Sequence, residues 1–207
     1  MSTLLLRLAA PLQSWGNESN FERRATHREP TKSGVVGLLA AALGRSRDEN
    51  IDDLAKLRFG VRVDKSGQII RDYHTARLFK YDGKQDKPKH DRTYVTERYY
   101  LSDAVFLVGL EGEKAFLKEL ENALNSPYYP LFLGRRACPP TGRLIMGIRD
   151  SALEDALTNE QWLSSEKPTK ITIFMDSSEP TENRRRDVPV SFSQTHRKHA
   201  YRYIKEV

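Results

Sequence analysis

Residues 28–44 read REPTKSGVVGLLAAALG, and the fold turns on this stretch. Pro30 pushes Glu29 into an extended conformation, and Thr31 stands where a helix N-cap stands. Val35, Leu38, Leu39 and Leu43 then recur at helical spacing until Gly44 ends the run. With only small residues between them, the segment reads as a buried helix. Gly37 inside it costs roughly 1 kcal/mol against alanine, which predicts a close neighbour at that point. The charge is out of place. A helix start carries unpaired N–H groups and a partial positive charge, which carboxylates offset and a lysine aggravates. Yet Lys32 opens this helix with no acid in its first turn. A nucleotide-triphosphate loop is excluded, because Lys32 and Ser33 are followed rather than preceded by glycine. Two readings remain: a lysine pointing into water from an ordinary cap, or a one-phosphate cradle formed by N–H groups, Thr31, Lys32 and Ser33.

Outward from this helix, Thr3 to Leu8 is an apolar run ending near Pro11 and reads as a central strand. The loop SWGNESNFERRATHREP (14–30) carries Trp15, Phe21, Arg23, Arg24, His27 and Arg28, and loops of this length usually have a use. Ile51 to Leu57 reads as a second short helix. FGVRVD (59–64) and QIIRDYHT (68–75) read as two strands joined in a hairpin by Lys65-Ser66-Gly67. RLFKYDGKQDKPKHDRTY (77–94) is almost without apolar residues after Phe79 and reads as a projecting arm. TERYYLSDAVFLVGLEG (96–112) returns as one strand. GEKAFLKELENALNS (112–126) sets Phe116, Leu117, Leu120, Ala123 and Leu124 on one helical face. YYPLFLGRRACPPTG (128–142) is turn-rich. RLIMGIRD is a strand, Leu153 to Leu163 is weakly helical, and ITIFMD and AYRYIKEV are late strands. The order strand, helix, strand, strand, helix, strand predicts an α+β, ferredoxin-like unit over 1–149. Residues 150–207 are expected to form a small β-rich C-terminal extension packed on it.

The chain has 207 residues, 38% of them hydrophobic and 30% charged. No apolar run approaches the roughly 20 residues a membrane helix needs. The N-terminus is too short and too interrupted by Arg7 and Pro11 for a signal peptide, so a cytoplasmic location is expected. The single cysteine, Cys138, excludes an internal disulfide and a thiolate metal cluster. Net charge is +6, and it is clustered. Arg184 to Lys205 holds seven basic residues against the single acid Asp187, and Arg71 to Arg98 holds eight basic residues against five acids. Arginines beside tyrosines and histidines are a footprint for nucleic acid, since guanidinium binds phosphate and aromatic faces stack on bases. The bland alternative is a solvated basic face.

Gly134-Arg135-Arg136 is the most telling group. Glycine permits a left-handed turn and close approach of a ligand, and the two arginines can reach phosphates on either side. A turn with solvated arginines is the plainer reading. The five histidines lie in no ligand-spaced pattern with carboxylates, so neither a metal nor another cofactor is expected. Tyr73, His74 and His90 could serve a metal-free ribonuclease, although structural histidines explain them as well.

Five motifs in order, LRLAAPLQSWG in the run beginning at Leu4, PTKSGVVGLLAAALG (30–44), RDYHT (71–75), YLSDA (100–104) and YPLFLGRRACP (129–139), resemble the CRISPR-associated RAMP family. The similarity is to members that hold the 5′ handle of crRNA in type I-E Cascade. That resemblance implies a ferredoxin-like (RRM/RAMP) domain with a projecting β-hairpin thumb at about 77–98. It also implies a non-catalytic RNA-binding subunit whose partners are crRNA and the backbone and large Cascade subunits, with no membrane and no independent homo-oligomer. Relatives in the type I-C branch cut precursor RNA, which keeps a metal-independent endoribonuclease as the rival. On the binding reading, Arg23, Arg24, Arg28, Lys32, Ser33, Lys80, Arg92, Gly134, Arg135 and Arg136 are the candidates for phosphate. Trp15, Tyr73 and His74 are the candidates for bases, with Trp15 equally readable as core.

Overall fold

The computed structural model describes residues 1–16, 22–80, 89–165 and 170–207, with backbone alone at 78–80 and 89–92. Eleven strands are described: β1 (Ser2–Ala9), β2 (Leu12–Gln13), β3 (Arg23–Arg24), β4 (Arg58–Lys65), β5 (Gln68–Lys80), β6 (Lys89–Ser102), β7 (Val105–Gly112), β8 (Ile145–Arg149), β9 (Ile173–Ser177), β10 (Arg184–Ser191) and β11 (Lys198–Glu206). Four helices accompany them: α1 (Lys32–Ala42), α2 (Asp52–Ala55), α3 (Lys114–Asn125) and α4 (Leu153–Asn159). A seven-stranded sheet runs β10-β11-β9-β4-β7-β1-β8. Within it β4, β7, β1 and β8 are antiparallel neighbours. α1 links β1 to the β4 side, and α3 links β7 to β8.

Alternation in β1 sorts the core into two layers. Leu4, Leu6 and Leu8 face α1 and α3, packing with Val35, Leu39, Leu117 and Leu120. Leu5 faces the other way, with Leu107, Ile173 and Met175 under Leu153 and Leu157 of α4. α4 sits close because Gly60 and Gly109 lie opposite each other beneath it. A Cβ on Gly60 would stand 2.7 Å from Leu157, and one on Gly109 2.6 Å from Leu153. The end of α4 is closed by Arg62, which is paired with Asp64 and donates to the carbonyls of Leu157, Glu160 and Gln161 at 2.6, 2.8 and 3.0 Å. A buried guanidinium thus meets the negative end of a helix dipole.

The Lys65-Ser66-Gly67 turn is a corner rather than a hairpin. β4 pairs with β7 as far as Lys65 opposite Val105, and β5 then pairs with β6 from Gln68 opposite Ser102 outward. The single return strand expected over 96–112 is likewise divided, into β6 and β7. Gly67 at φ +67° and Asp103 at φ +55° lie in the left-handed region on the two sides of the bend. A Cβ on Gly67 would lie 2.3 Å from the Ser102 carbonyl oxygen, so the corner requires glycine. Beyond it the ribbon belongs to a second sheet, β2-β6-β3 with β5 on β6. The β5–β6 ladder extends from Gln68 opposite Ser102 to Lys80 opposite Lys89, which takes in 77–80 and 89–98 of the segment expected as a thumb, whose residues 81–88 lie outside the described ones.

The strands described after Arg149 join the edge of the main sheet. β9 pairs with β4, and β11 and β10 follow it, so the main sheet simply widens. β10 is not legible in RRRDVPVS, because three arginines and a proline break the apolar alternation. Pro189 is tolerated because β10 is an edge strand. The close neighbour expected at Gly37 is at Gly34 instead. A Cβ there would lie 2.8 Å from the Trp15 ring, whereas at Gly37 it would meet Phe192 at an ordinary 3.7 Å.

Candidate nucleic-acid interface

The start of α1 is already occupied, and by protein. Thr31 caps it, its Oγ1 accepting from the Gly34 N–H at 3.3 Å. Asp187, from β10, accepts from the Lys32 N–H at 2.9 Å. It also takes two bonds from Arg202, Nε at 2.6 Å and Nη2 at 2.9 Å. Arg202 reaches Asp176 with Nη1 at 2.7 Å, and the Lys32 ammonium meets the other oxygen of Asp176 at 2.9 Å. The Phe59 N–H donates to that same oxygen at 3.0 Å, and the Arg202 guanidinium stacks on the Phe59 ring. Lys32 is 5% exposed and Ser33 6%. The acid missing from the first turn is therefore supplied from residue 187, and the lysine serves a second acid, Asp176. A phosphate at this helix start would have to displace Asp187. Burial pushes the Asp187 carboxyl up, but the bonds and charge of Arg202, the Lys32 N–H and Arg185 outweigh it and hold the carboxyl below its ordinary range.

Trp15 also turns inward. It is 1% exposed, and its ring N–H donates to the Gln13 side chain at 3.1 Å, while Gln13 donates to the Ala104 carbonyl at 2.7 Å. As placed, it offers no face to a base.

The second sheet is the opposite case. Arg23 lies opposite Glu97, and Glu97 opposite Tyr73, while Arg71 lies opposite Tyr99, so these five share one face. The Arg23 guanidinium sits 5.1 Å from the Tyr99 ring centroid. Tyr73 is 61% exposed. Glu97 is the acid of this face, taking a bond from Arg71 at 3.3 Å and one from the Tyr99 hydroxyl at 3.2 Å. Arg71 and Arg77 flank Tyr73 at two- and four-residue steps along β5 and are exposed. They are absent from the sequence-derived candidates, although R-x-Y-x-x-x-R on one strand face is a period-two signal that marks them. Arg24 and Arg28 are exposed as well.

The Gly134 turn is pinned at the base of this sheet. Gly134 has φ +86°, and a Cβ on it would lie 1.6 Å from the Ser14 carbonyl oxygen. Only glycine fits. Arg135 stacks 4.7 Å from the Tyr100 ring centroid and donates to the carbonyls of Tyr99 at 3.3 Å and Arg24 at 2.9 Å, tying the turn to β6 and β3. Arg136, next to it, is exposed. Cys138 closes the turn, its backbone carbonyl accepting from the Leu133 N–H at 2.7 Å. Burial pushes its thiol up, opposed in part by Arg135.

The side chains of Lys80, His90 and Arg92 lie outside the described residues. Tyr73 and His74 are consecutive on a strand and so project to opposite faces. His74 bonds Asp72. Among the described residues no three His, Cys, Asp or Glu side chains are grouped to hold a metal. Among the described residues no helix is long and apolar enough to cross a membrane.

Comparison with known proteins converges on one family. The model of the family described as CRISPR-associated protein (Cas_Cas5) matches residues 3–205. The chain is 40% identical over 160 residues to CRISPR system Cascade subunit CasD of Escherichia coli (strain K12), covering 70% of each. It is similar to a solved structure described as the crystal structure of a Cas protein, at 42% identity and a TM-score of 0.77 over 99% of this chain and 93% of that one. A chain of a CRISPR RNA-guided surveillance complex matches at 32% identity and a TM-score of 0.79, over 99% of this chain and 89% of that one. An inward-turned basic helix start and an outward-turned basic ribbon thus belong to a member of the CRISPR-associated protein (Cas_Cas5) family.

Proposed function

We propose that the chain is a non-catalytic subunit of a Cascade-type CRISPR surveillance complex that binds the 5′ handle of crRNA, and that the second sheet is its RNA-facing surface. Family membership supports the assembly, with crRNA and the backbone and large subunits as partners and the cytoplasm as the place. The observation that carries the RNA assignment is one sheet face presenting Arg23, Arg71, Tyr73 and Tyr99 beside the exposed Arg136 of the Gly134 turn. Guanidiniums there meet phosphates, and tyrosine rings stack on unpaired bases. Arg24, Arg28 and Arg77 extend the charge. Lys32, Ser33 and Trp15 are left out of the proposed set, because all three are buried, with Lys32 held by Asp176 and the Trp15 ring N–H by Gln13.

The four-strand order β4-β7-β1-β8, with α1 and α3 on one face, fits a ferredoxin-like unit. On this reading the β5–β6 ribbon is the outward continuation of that unit's central hairpin, a thumb.

Purified protein is mixed with handle RNA and with precursor repeat RNA, with and without chelator, and read by filter binding and on a denaturing gel. Tight, salt-sensitive binding that favours the handle sequence, with intact RNA, is expected. Cleavage abolished by His74→Ala would instead establish the endoribonuclease, and binding indifferent to sequence would leave only a general RNA-binding basic protein.

A further inference from the structure

We propose that the outer face of β10 and β11 is a second contact surface for single-stranded nucleic acid, separate from the thumb sheet and the Gly134 turn. The surface goes beyond the handle assignment and does not depend on it. It exists because the main sheet is wider than its cover. α4 packs over β1, β4 and β7, and its reach toward the C-terminal strands ends where Lys205 of β11 bonds Glu154 at 2.9 Å. Beyond that point no described helix covers the α4-side face of β11 and β10. Tyr201 is 54% exposed and Tyr203 36%.

Strand register sorts the charges of this segment by face. Arg184 pairs with Tyr203 and Arg185 with Arg202, after which the register shifts before Val188 pairs with Ala200. The bulge sets both Arg186 and Asp187 against Tyr201, so one points out and the other in. Asp187 is fully buried among Arg202 and the start of α1, and Arg185 turns inward to Glu29. The one acid between Arg184 and Lys205 is thereby removed from the outer face. On that face the Arg184 guanidinium lies 3.9 Å from the Tyr201 ring centroid, and that of Arg186 lies 6.0 Å away. Arg197 and Lys198 are exposed at the adjoining turn.

Two exposed tyrosine rings in a row, Tyr201 with the guanidiniums of Arg184 and Arg186 beside it and Tyr203 next along the strand, on a sheet face from which the segment's acid is withdrawn, match bases and phosphates together. Val190 is the large exposed aliphatic side chain of β10, so the patch lacks the buried apolar anchor on which a protein partner depends. The occupant this chemistry recognises is a flexible, unpaired polynucleotide strand.

The test uses the full chain carrying Arg23→Ala and Arg136→Ala, which weakens the proposed handle surface. A fluorescent oligouridylate of about twelve nucleotides, a length spanning one such platform, is titrated by anisotropy. Adding Arg184→Ala and Tyr201→Ala is expected to lower the remaining affinity about tenfold, the loss of one base stack. Leaving two phosphates without their guanidiniums, through Arg184→Ala with Arg186→Ala, is expected to flatten the salt slope by about 1.4. Crosslinks from 4-thiouridine are expected at Tyr201 or Tyr203. Arg184→Glu alone, with an unchanged melting curve, provides the same readout should the double substitution unfold the chain. Unchanged affinity, crosslinks confined to β5 and β6, or equal binding of polyglutamate would overturn the proposal. Failure of the handle reading is separately visible, as undiminished handle binding by the Arg23→Ala, Arg136→Ala background.

Discussion

The start of α1 and the face of the second sheet carry the same kind of residue, and the placement of acids separates them. At Lys32 two carboxylates from distant strands, Asp176 and Asp187, arrive within hydrogen-bond distance, and the charge is spent inside the protein. Along Arg23, Arg71 and Arg77 one acid, Glu97, stands on the face, and the guanidiniums remain exposed. A cationic run in sequence is therefore ambiguous until strand register shows which acids share its face. Buried cations hold elements together, and exposed ones beside aromatic rings are available to a polyanion.

The largest expected effect breaks the inward cluster. Asp187→Asn removes the carboxylate charge that partners buried Arg202 and offsets the start of α1, and should cost about 3–5 kcal/mol in urea unfolding. Gly134→Ala follows: φ +86° and the blocked space at Ser14 predict a loss of about 3 kcal/mol, read by thermal melting. On the outward side, Arg23→Ala with Arg136→Ala should weaken handle RNA by about tenfold by filter binding, with stability within about 0.5 kcal/mol of the parent. Acid dependence is a smaller, sharper test. The Asp187 carboxyl is held low in the folded chain, so its contribution is present above the unfolded value of about 3.9 and is lost as pH falls through the lower folded value. Urea midpoints should therefore fall on the acid side of pH 4, and Asp187→Asn should flatten that limb. His199 gives the slightest effect. Burial, then Arg197 and Arg186, hold its imidazole low against the opposing pull of Asp187. Its contribution is present above the ordinary value of 6.5 and is lost as pH falls through the folded value, so His199→Gln should remove a shallow decline just below 6.5.

Local signals are legible where one residue's neighbours in sequence decide its state. The cap at Thr31, the buried face of α1, the apolar stripe of α3 and the left-handed turn at Gly134 all follow from short-range patterns. Long-range pairing is not legible. Nothing within REPTKSG announces that Asp187 will cap the helix from 155 residues away. The corner at Gly67 and Asp103 reads as a hairpin and an unbroken strand until the opposite strand is known. Trp15 illustrates the same limit: its polar flanks favour a loop, and only its packing against Gly34 places it in the core. The candidate site divides along this line. Arg23, Arg24, Arg136 and Tyr73 lie exposed as a polar pattern implies, whereas Ser33 and Trp15 are buried and Lys32 is claimed by Asp176, far along the chain.

A set of three salt titrations measures the difference between the two regions directly. Handle RNA affinity is followed against salt for the parent, for Lys32→Ala, and for Arg23→Ala with Arg136→Ala. Each single-strand phosphate that is no longer neutralised should reduce the slope by about 0.7. The outward pair should flatten the slope by about 1.4, for two phosphates. Lys32→Ala should leave slope and affinity unchanged while lowering stability by about 1–2 kcal/mol, because Asp176 loses one of its partners. A flattened slope for Lys32→Ala with an unchanged slope for the arginine pair would place the RNA at the helix start and contradict the division between inward and outward charge.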